Sequence, residues 1–463
     1  MSDHSLPSDH FLNLPRPDII IGTADGVPDT STLAAHDFDV DTRTGFMPPQ
    51  PPISRLPVEW EPWEAILEEA MKNKLQLAGK PDLTAEDAAQ SALWRASVRE
   101  MPILSTTNLT NSELLLRRAH HVLVFTMHFY IHTLPLDSAI RIPTPITVPL
   151  LEVSSQLQIP PICTYSDNIL YNWDLKSPSS EISPALENLR SQDLFTGTND
   201  EQEFYLASSR IEIRGVEALE FMRSTMDEMF VGDAIAVRRI TGYLHKLAGV
   251  INELKDILLD VRKGCDPEFF YHSVRPWFRG ADSDPAQRTW VFEGLDEHPE
   301  LEKPTDLSGP SAGQSTLIHA LDIFLGLDNC NMGEDGSLTP DQRTLLRRMQ
   351  RYMPRHHRSF LRHLSSDLRP VRSLLSSGDP DLLGAYNAAV RAVKEFRDAH
   401  LRIVAIYIIG PASRERANQA KEVESGRSVP PLKGTGGTNL MQFLKGVRDK
   451  TTEALIPPSH SIS

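Results

Sequence analysis

A chain of 463 residues, 40% apolar and 24% charged, is long enough for more than one hydrophobic core and has the composition of a soluble globular protein. Its formal charge of −15 disfavours a phosphate backbone or an anionic bilayer, so neither a nucleic-acid nor a membrane partner is expected. The three cysteines, Cys163, Cys265 and Cys330, lie far apart with no CxxC, which excludes a disulfide scaffold or a thiolate zinc site and fits a reducing compartment. The opening residues have no basic-then-apolar leader pattern, and the most apolar long run, His121–Leu134, is too short for a bilayer span of about 20 residues. A cytoplasmic location is expected.

Residues 1–58 are rich in Pro, Asp and Thr and read as an extended arm lying across the domain that follows, because proline fixes φ and withholds an N–H. Helical periodicity begins at Trp60–Asn73 and continues over Thr84–Arg99, where TAED has the form of a capping box, and over Ala119–Ile131. Residues 135–162 are dense in proline and are assigned no helix; Cys163–Trp173 reads as another helix. Residues 174–200 lose the apolar period and mark a connection, dividing the chain into 1–195 and 196–463. Beyond it, helical segments are expected over Glu203–Phe230, Asp233–Lys263, Ser315–Leu327, Pro340–Tyr352, Pro380–Ile409 and Asn439–Thr452. Strand-type alternation is nearly absent, so the fold class is all-α, a smaller N-terminal helical domain followed by a larger C-terminal bundle.

Several side chains could carry chemistry, and spacing alone leaves each of them two readings. His121, His128 and His132 share one helical face, yet the text HFYIH lacks the glutamate of a zinc-protease HExxH, and a hydrogen-bonded polar face would serve equally. Gly434–Thr438 and Ser311–Ser315 each precede a helix, where free amides attract anions or where a cap alone would suffice. Arg275 stands among aromatics in FFYHSVRPW and could grip a carboxylate or snorkel over apolar groups. His400 sits in the apolar stripe Ala389, Val393, Phe396, Ile403, Tyr407, either as a hydrogen-bonded core histidine or as an axial ligand.

In order along the chain, FDVDTRTGFMPPQPP, LPVEWEPWE, PPICTYSDNILYNW, EFYLASSRIE, FFYHSVRPW, SAGQS, RRMQRYMPRHHRSFL, FRDAHLRIVAIYI and KGTGGTNLMQFLKGVRDKT resemble the indoleamine 2,3-dioxygenase family of haem enzymes. The resemblance runs from about Phe38 to the last helix. It implies haem b with His400 as the proximal axial ligand of its iron, and Arg397, Asp322 and Ala312 in the cofactor set. Tyr165, Phe204 and Ser208 would wall the indole pocket, Phe270 would pack on the ring and Arg275 would pair with the substrate carboxylate. Ser311 and Thr435 would close over the substrate, and Ser208, Phe270 and Arg275 form the implied catalytic set.

Asn168, Pro310 and Tyr271 depart from the family's usual thiol, glycine and phenylalanine. The implied reaction joins both atoms of O2 to the indole C2–C3 bond of L-tryptophan, giving N-formyl-L-kynurenine at the head of the kynurenine pathway. An external reductant and a monomeric state are expected. A haem-binding sensor of the same fold is the alternative that these departures motivate.

Overall fold

Side-chain caps mark where several of the helices begin. The computed structural model describes residues 38–179, 184–284, 286–327, 348–366, 371–422 and 440–457. Helix α1 spans Glu61–Lys72, α2 Ala85–Glu100 and α3 Glu113–His132. At α2 the capping box forms as the spacing predicts: the Asp87 N–H donates to Thr84 Oγ1 at 3.1 Å and the Thr84 N–H to Asp87 Oδ2 at 3.3 Å. Ser112 caps α3, which therefore starts ahead of the apolar run at Ala119 and is buried along nearly its whole length.

The proline-rich stretch 135–162 is not irregular throughout. It contains α4, Thr144–Leu157, with Pro145 in the first turn, where a missing N–H costs nothing, and Pro149 inside. Cys163–Trp173, expected as a helix, forms only one wide turn at Ser166–Leu170, in which the Tyr171 N–H reaches Ser166 O at 2.9 Å. Strand structure among the described residues is slight. β1 (Ile140–Ile142) pairs in parallel with β4 (Trp290–Phe292), and β2 (Asp174–Leu175) pairs antiparallel with β3 (Leu189–Arg190).

The expected segment 203–230 is two helices, α5 (Asn199–Arg214) and α6 (Val216–Val231). They part at Gly215, where a Cβ would stand 2.2 Å from Leu317 Cδ2, so glycine permits a close approach. Then come α7 (Ala234–Asp260, capped by Asp233), α8 (Thr316–Phe324), α9 (Arg355–Ser365), α10 (Pro380–Val404), α11 (Gly410–Glu422) and α12 (Leu440–Glu453). The expected helix at 340–352 falls mostly outside the described residues. The protein is all-α in class, and among the described residues no helix is long and apolar enough to cross a membrane.

Two hydrophobic clusters organise these elements. In the first, Phe195 stacks between Phe125 (ring centroids 4.3 Å apart) and Trp277 (5.5 Å), and each fully buried ring contributes about 1.5–3 kcal/mol. The second joins α7 (Leu244, Leu247, Ile251) to α10 (Ala385, Ala389, Val390) and α8 (Leu317, Leu321). The arm serves both. Met47 and Leu56 enter the first cluster, whereas Phe46 packs on His357 and Phe360 of α9 at 5.0 and 5.3 Å.

The α3 histidines are held by protein groups. His121 Nε2 lies 2.9 Å from Asp193 Oδ2, His128 Nδ1 2.7 Å from Trp277 O, and His132 Nε2 3.1 Å from Arg279 O. The same network contains Arg118, which donates to both Glu64 oxygens (2.9 and 2.6 Å) and to Asp193 Oδ2 (2.6 Å) in a buried site. Burial alone would raise the Asp193 carboxyl, but His121 and Arg118 hold it well below the usual carboxylate range. Arg118→Met would strand two buried acids and is expected to destabilise the fold by about 3–5 kcal/mol, read as a lower urea midpoint.

Candidate active site

Helix α10 starts firmly: Asp379 accepts from the Asp381 and Leu382 N–H groups at 2.9 and 3.1 Å, with Pro380 in the first turn. Its apolar stripe packs on α7 and α8, and this fixes the rotation that His400 inherits one turn from the end. His400 is enclosed by protein but keeps part of its surface open, and no ring nitrogen of it has a hydrogen-bond partner among the described residues. Burial, helped by the Arg397 charge, pushes its pKa down to about 4, so the imidazole is neutral near pH 7 with a lone pair to give. Every other buried histidine described is engaged: His120 by Asp167, His121 by Asp193, His128 by Trp277, His319 by Gly313 and His357 by Asp39. A neutral, uncommitted imidazole is the donor an iron porphyrin needs from one side, so the residues present fit haem.

Arg397, one turn before His400, is anchored from two sides. Its Nη2 donates to both Asp322 oxygens at 2.6 Å, and its Nη1 donates to Thr451 Oγ1 of α12. Asp322 is thus not a solvated helix-surface carboxylate: its side chain is 17% exposed and belongs to this pair. The pair borders a narrow cleft floored by Leu254, Leu321, Val393 and Phe396.

On the other side the aromatic residues converge. Phe204 on α5 lies 4.3 Å from Phe270 between ring centroids and 6.0 Å from Phe278, while Phe270 meets the edge of Tyr407 at 5.7 Å. Tyr407, seven residues after His400, is held by its hydroxyl to Cys265 O at 2.7 Å and ties the two sides together. Arg275 is 5% exposed with its guanidinium over the Tyr271 ring at 5.6 Å, and burial together with Arg279 pushes its pKa down to about 10, leaving it charged at neutral pH. Tyr271, one of the departures, donates to Glu415 Oε2 at 3.3 Å; Asn168, another, accepts from Cys163 Sγ at 2.7 Å.

Three single turns of wide i→i+5 bonding carry or flank these groups: Ser166–Leu170 after Tyr165, Phe270–Val274 before Arg275, and Ala405–Ile409 around Tyr407. Such turns re-aim side chains, and nothing in the residue pattern announces them.

The Ser311–Ser315 loop is seated by backbone. A Cβ on Gly309 would stand 1.9 Å from Phe278 O, so only glycine fits there. Gln314 then donates to Gly309 O at 3.0 Å and accepts from the Tyr165 N–H at 2.8 Å. Ser311 accepts from the Gly313 N–H at 3.2 Å, and Ala312 is exposed at the loop's outer side. Tyr165 and Ser315 meet at a buried carboxyl that the sequence reading passed over: Glu212 Oε1 accepts from Tyr165 at 2.8 Å and from Ser315 at 2.7 Å, and Ser208 hydrogen-bonds Tyr165. Glu212 is four residues after Ser208 on α5, so helical spacing was the available signal. Gln314, Phe278 and Tyr407 were missed as well. Thr435 lies outside the described residues.

The described residues thus include a neutral imidazole at His400 that fits haem iron, an aromatic cluster of Phe204, Phe270, Phe278 and Tyr407, and the buried Arg275 in the segment that carries Phe270. A family model described as indoleamine 2,3-dioxygenase matches residues 34–454. Indoleamine 2,3-dioxygenase 1 of Mus musculus is 31% identical over 91% of this chain and 95% of its own length. Indoleamine 2,3-dioxygenase of Saccharomyces cerevisiae is 32% identical over 89% and 92%. A 6-hydroxytryptophan 2,3-dioxygenase of Fusarium equiseti is 30% identical over 92% and 99%. The chain belongs to the indoleamine 2,3-dioxygenase family, haem-iron dioxygenases of tryptophan catabolism.

Proposed function

We propose that this chain is a haem b dioxygenase that converts L-tryptophan and O2 to N-formyl-L-kynurenine, working as a monomer in the cytoplasm with an external reductant. The observation that carries the reading is His400: a neutral imidazole, largely enclosed by protein, with no hydrogen-bond partner among the described residues. Haem iron bound there would supply the activation of O2, chemistry that no side chain offers.

The chain's own residues do the rest. His400 would hold the iron, and Arg397, fixed in place by Asp322, would be the cation nearest to it that could face a haem propionate. Phe204, Phe270 and Tyr165 hold the indole flat and keep water out, with Ser208 at the wall. Arg275 pairs with the substrate carboxylate in a site dry enough to make that pair strong. By the family resemblance Ser311 and Thr435 would close over the substrate and Ala312 would belong to the cofactor set. No histidine is needed as a general base, and catalysis rests on positioning.

One relative is named for 6-hydroxytryptophan, so the test compares two substrates. Haem-loaded protein given a reductant and O2 should form the kynurenine chromophore from L-tryptophan with a kcat/KM above that for 6-hydroxytryptophan. The opposite order would reassign the substrate. Full haem loading with no product from either would favour the sensor.

A further inference from the structure

We propose that Glu212 is a positioning residue of the substrate pocket, whose buried carboxyl locks the Tyr165 wall to the Ser311–Ser315 loop. This rests on the dioxygenase reading above. Three separate segments meet on this one side chain. Tyr165 comes from the segment before the Ser166 turn, Ser315 from the loop that leads into α8, and Glu212 itself from α5. Its Oε1 takes both hydroxyl protons, while Oε2 is sealed from solvent and has no hydrogen-bond partner among the described residues.

A carboxyl in that state is costly if its only task is structural, since a glutamine or an apolar residue would fill the space without stranding a charged oxygen. What it gains is control of orientation. With its proton committed to Glu212, Tyr165 presents only lone pairs to the Ser208 hydroxyl beside it, so Ser208 has one favoured direction. With Ser315 held as well, and Gln314 bound to the Tyr165 N–H, the loop is fastened to the pocket wall at two points.

Burial pushes the Glu212 carboxyl up to about 7, against the opposing pull of Ser315 and Tyr165. The titratable group that faces it is Tyr165, whose hydroxyl is pushed well above the ordinary phenol range by burial and by Glu212. From α8, His319 turns away to Gly313 O at 2.9 Å, and no charged side chain among the described residues shifts Glu212. The group therefore changes charge in the neutral range. Ionised, it accepts stronger, charge-assisted hydrogen bonds and holds the loop tightly; protonated, it holds the loop loosely.

The experiment is the pH profile of the tryptophan KM in haem-loaded wild type, Glu212→Gln and Ser315→Ala. Wild-type KM should fall by about fivefold to tenfold as pH rises through the transition, the worth of strengthening two buried hydrogen bonds. Glu212→Gln stays neutral and should show a flat KM at the wild-type low-pH value, with kcat changed far less. Ser315→Ala removes a hydroxyl that holds the carboxyl down, so its inflection should move to higher pH. An unchanged wild-type profile in Glu212→Gln, or an unmoved inflection in Ser315→Ala, overturns the positioning role. If the glutamine variant fails to load haem, the serine variant decides alone. No product from wild type would defeat the functional reading and this one together, whereas product with an unaltered variant profile defeats this one alone.

Discussion

His400→Ala is expected to purify without a Soret band while retaining its helical circular dichroism. Removing the imidazole takes away a histidine with no hydrogen-bond partner on either ring nitrogen among the described residues, whereas each fully buried histidine described is held by at least one. His120, His121, His128, His319 and His357 are each bound to a carboxylate or a carbonyl, so recruiting one of them would break a buried hydrogen bond costing about 1–3 kcal/mol. Helix α10 does not depend on the ring for its packing. Most of its buried positions, among them Leu382, Ala385, Tyr386, Ala389, Val390 and Val393, lie before His400, and Tyr386 is tied to Leu325 O at 2.7 Å, so the variant should fold. His121→Gln serves as the control and should keep its haem. Full haem content in His400→Ala would remove the ligand assignment.

Arg275→Leu carries the second large effect. The guanidinium is almost wholly buried over the Tyr271 ring, where water cannot screen a carboxylate brought against it. Loss of a desolvated charged pair costs about 2–5 kcal/mol, which is a rise in tryptophan KM of at least about thirtyfold. The grip acts on the amino-acid end, equally in the ground state and the transition state, so kcat should change much less than KM. Stability should hold, because burial already works against the Arg275 charge and leucine relieves it. Steady-state kinetics and a melting curve check both halves. An unchanged KM would take Arg275 out of the site.

The helical class and most helix positions were legible because amphipathic period and caps are local signals: TAED at residues 84–87 and the stripe through Ala389 and Val393 both produced what they announce. Local signals failed where tertiary packing overrode them. Pro149 is accommodated inside the buried helix α4, and at Gly215, where one periodic run parts into two helices, Leu317 leaves no room for a Cβ. The candidate site was named through family text, which attached proposed roles to His400, Arg275, Phe204 and Phe270. Its geometry was not legible. That Arg397 is committed to Asp322 and Thr451, and that Tyr165 and Ser315 converge on Glu212, depends on segments between about 50 and 100 residues apart meeting in space, which no spacing rule reports. Ser208 and Glu212 are the exception, since a step of four on α5 already placed them together.

The most direct test is the absorption spectrum of the reduced, haem-loaded protein under carbon monoxide, recorded with and without L-tryptophan. A haem held by one neutral imidazole, with its other side open beside an aromatic pocket, should give a carbon monoxide adduct of the histidine-ligated type whose Soret band shifts when tryptophan is added. A protein that takes up no haem, or an adduct spectrum of thiolate type that tryptophan leaves unmoved, would contradict the account.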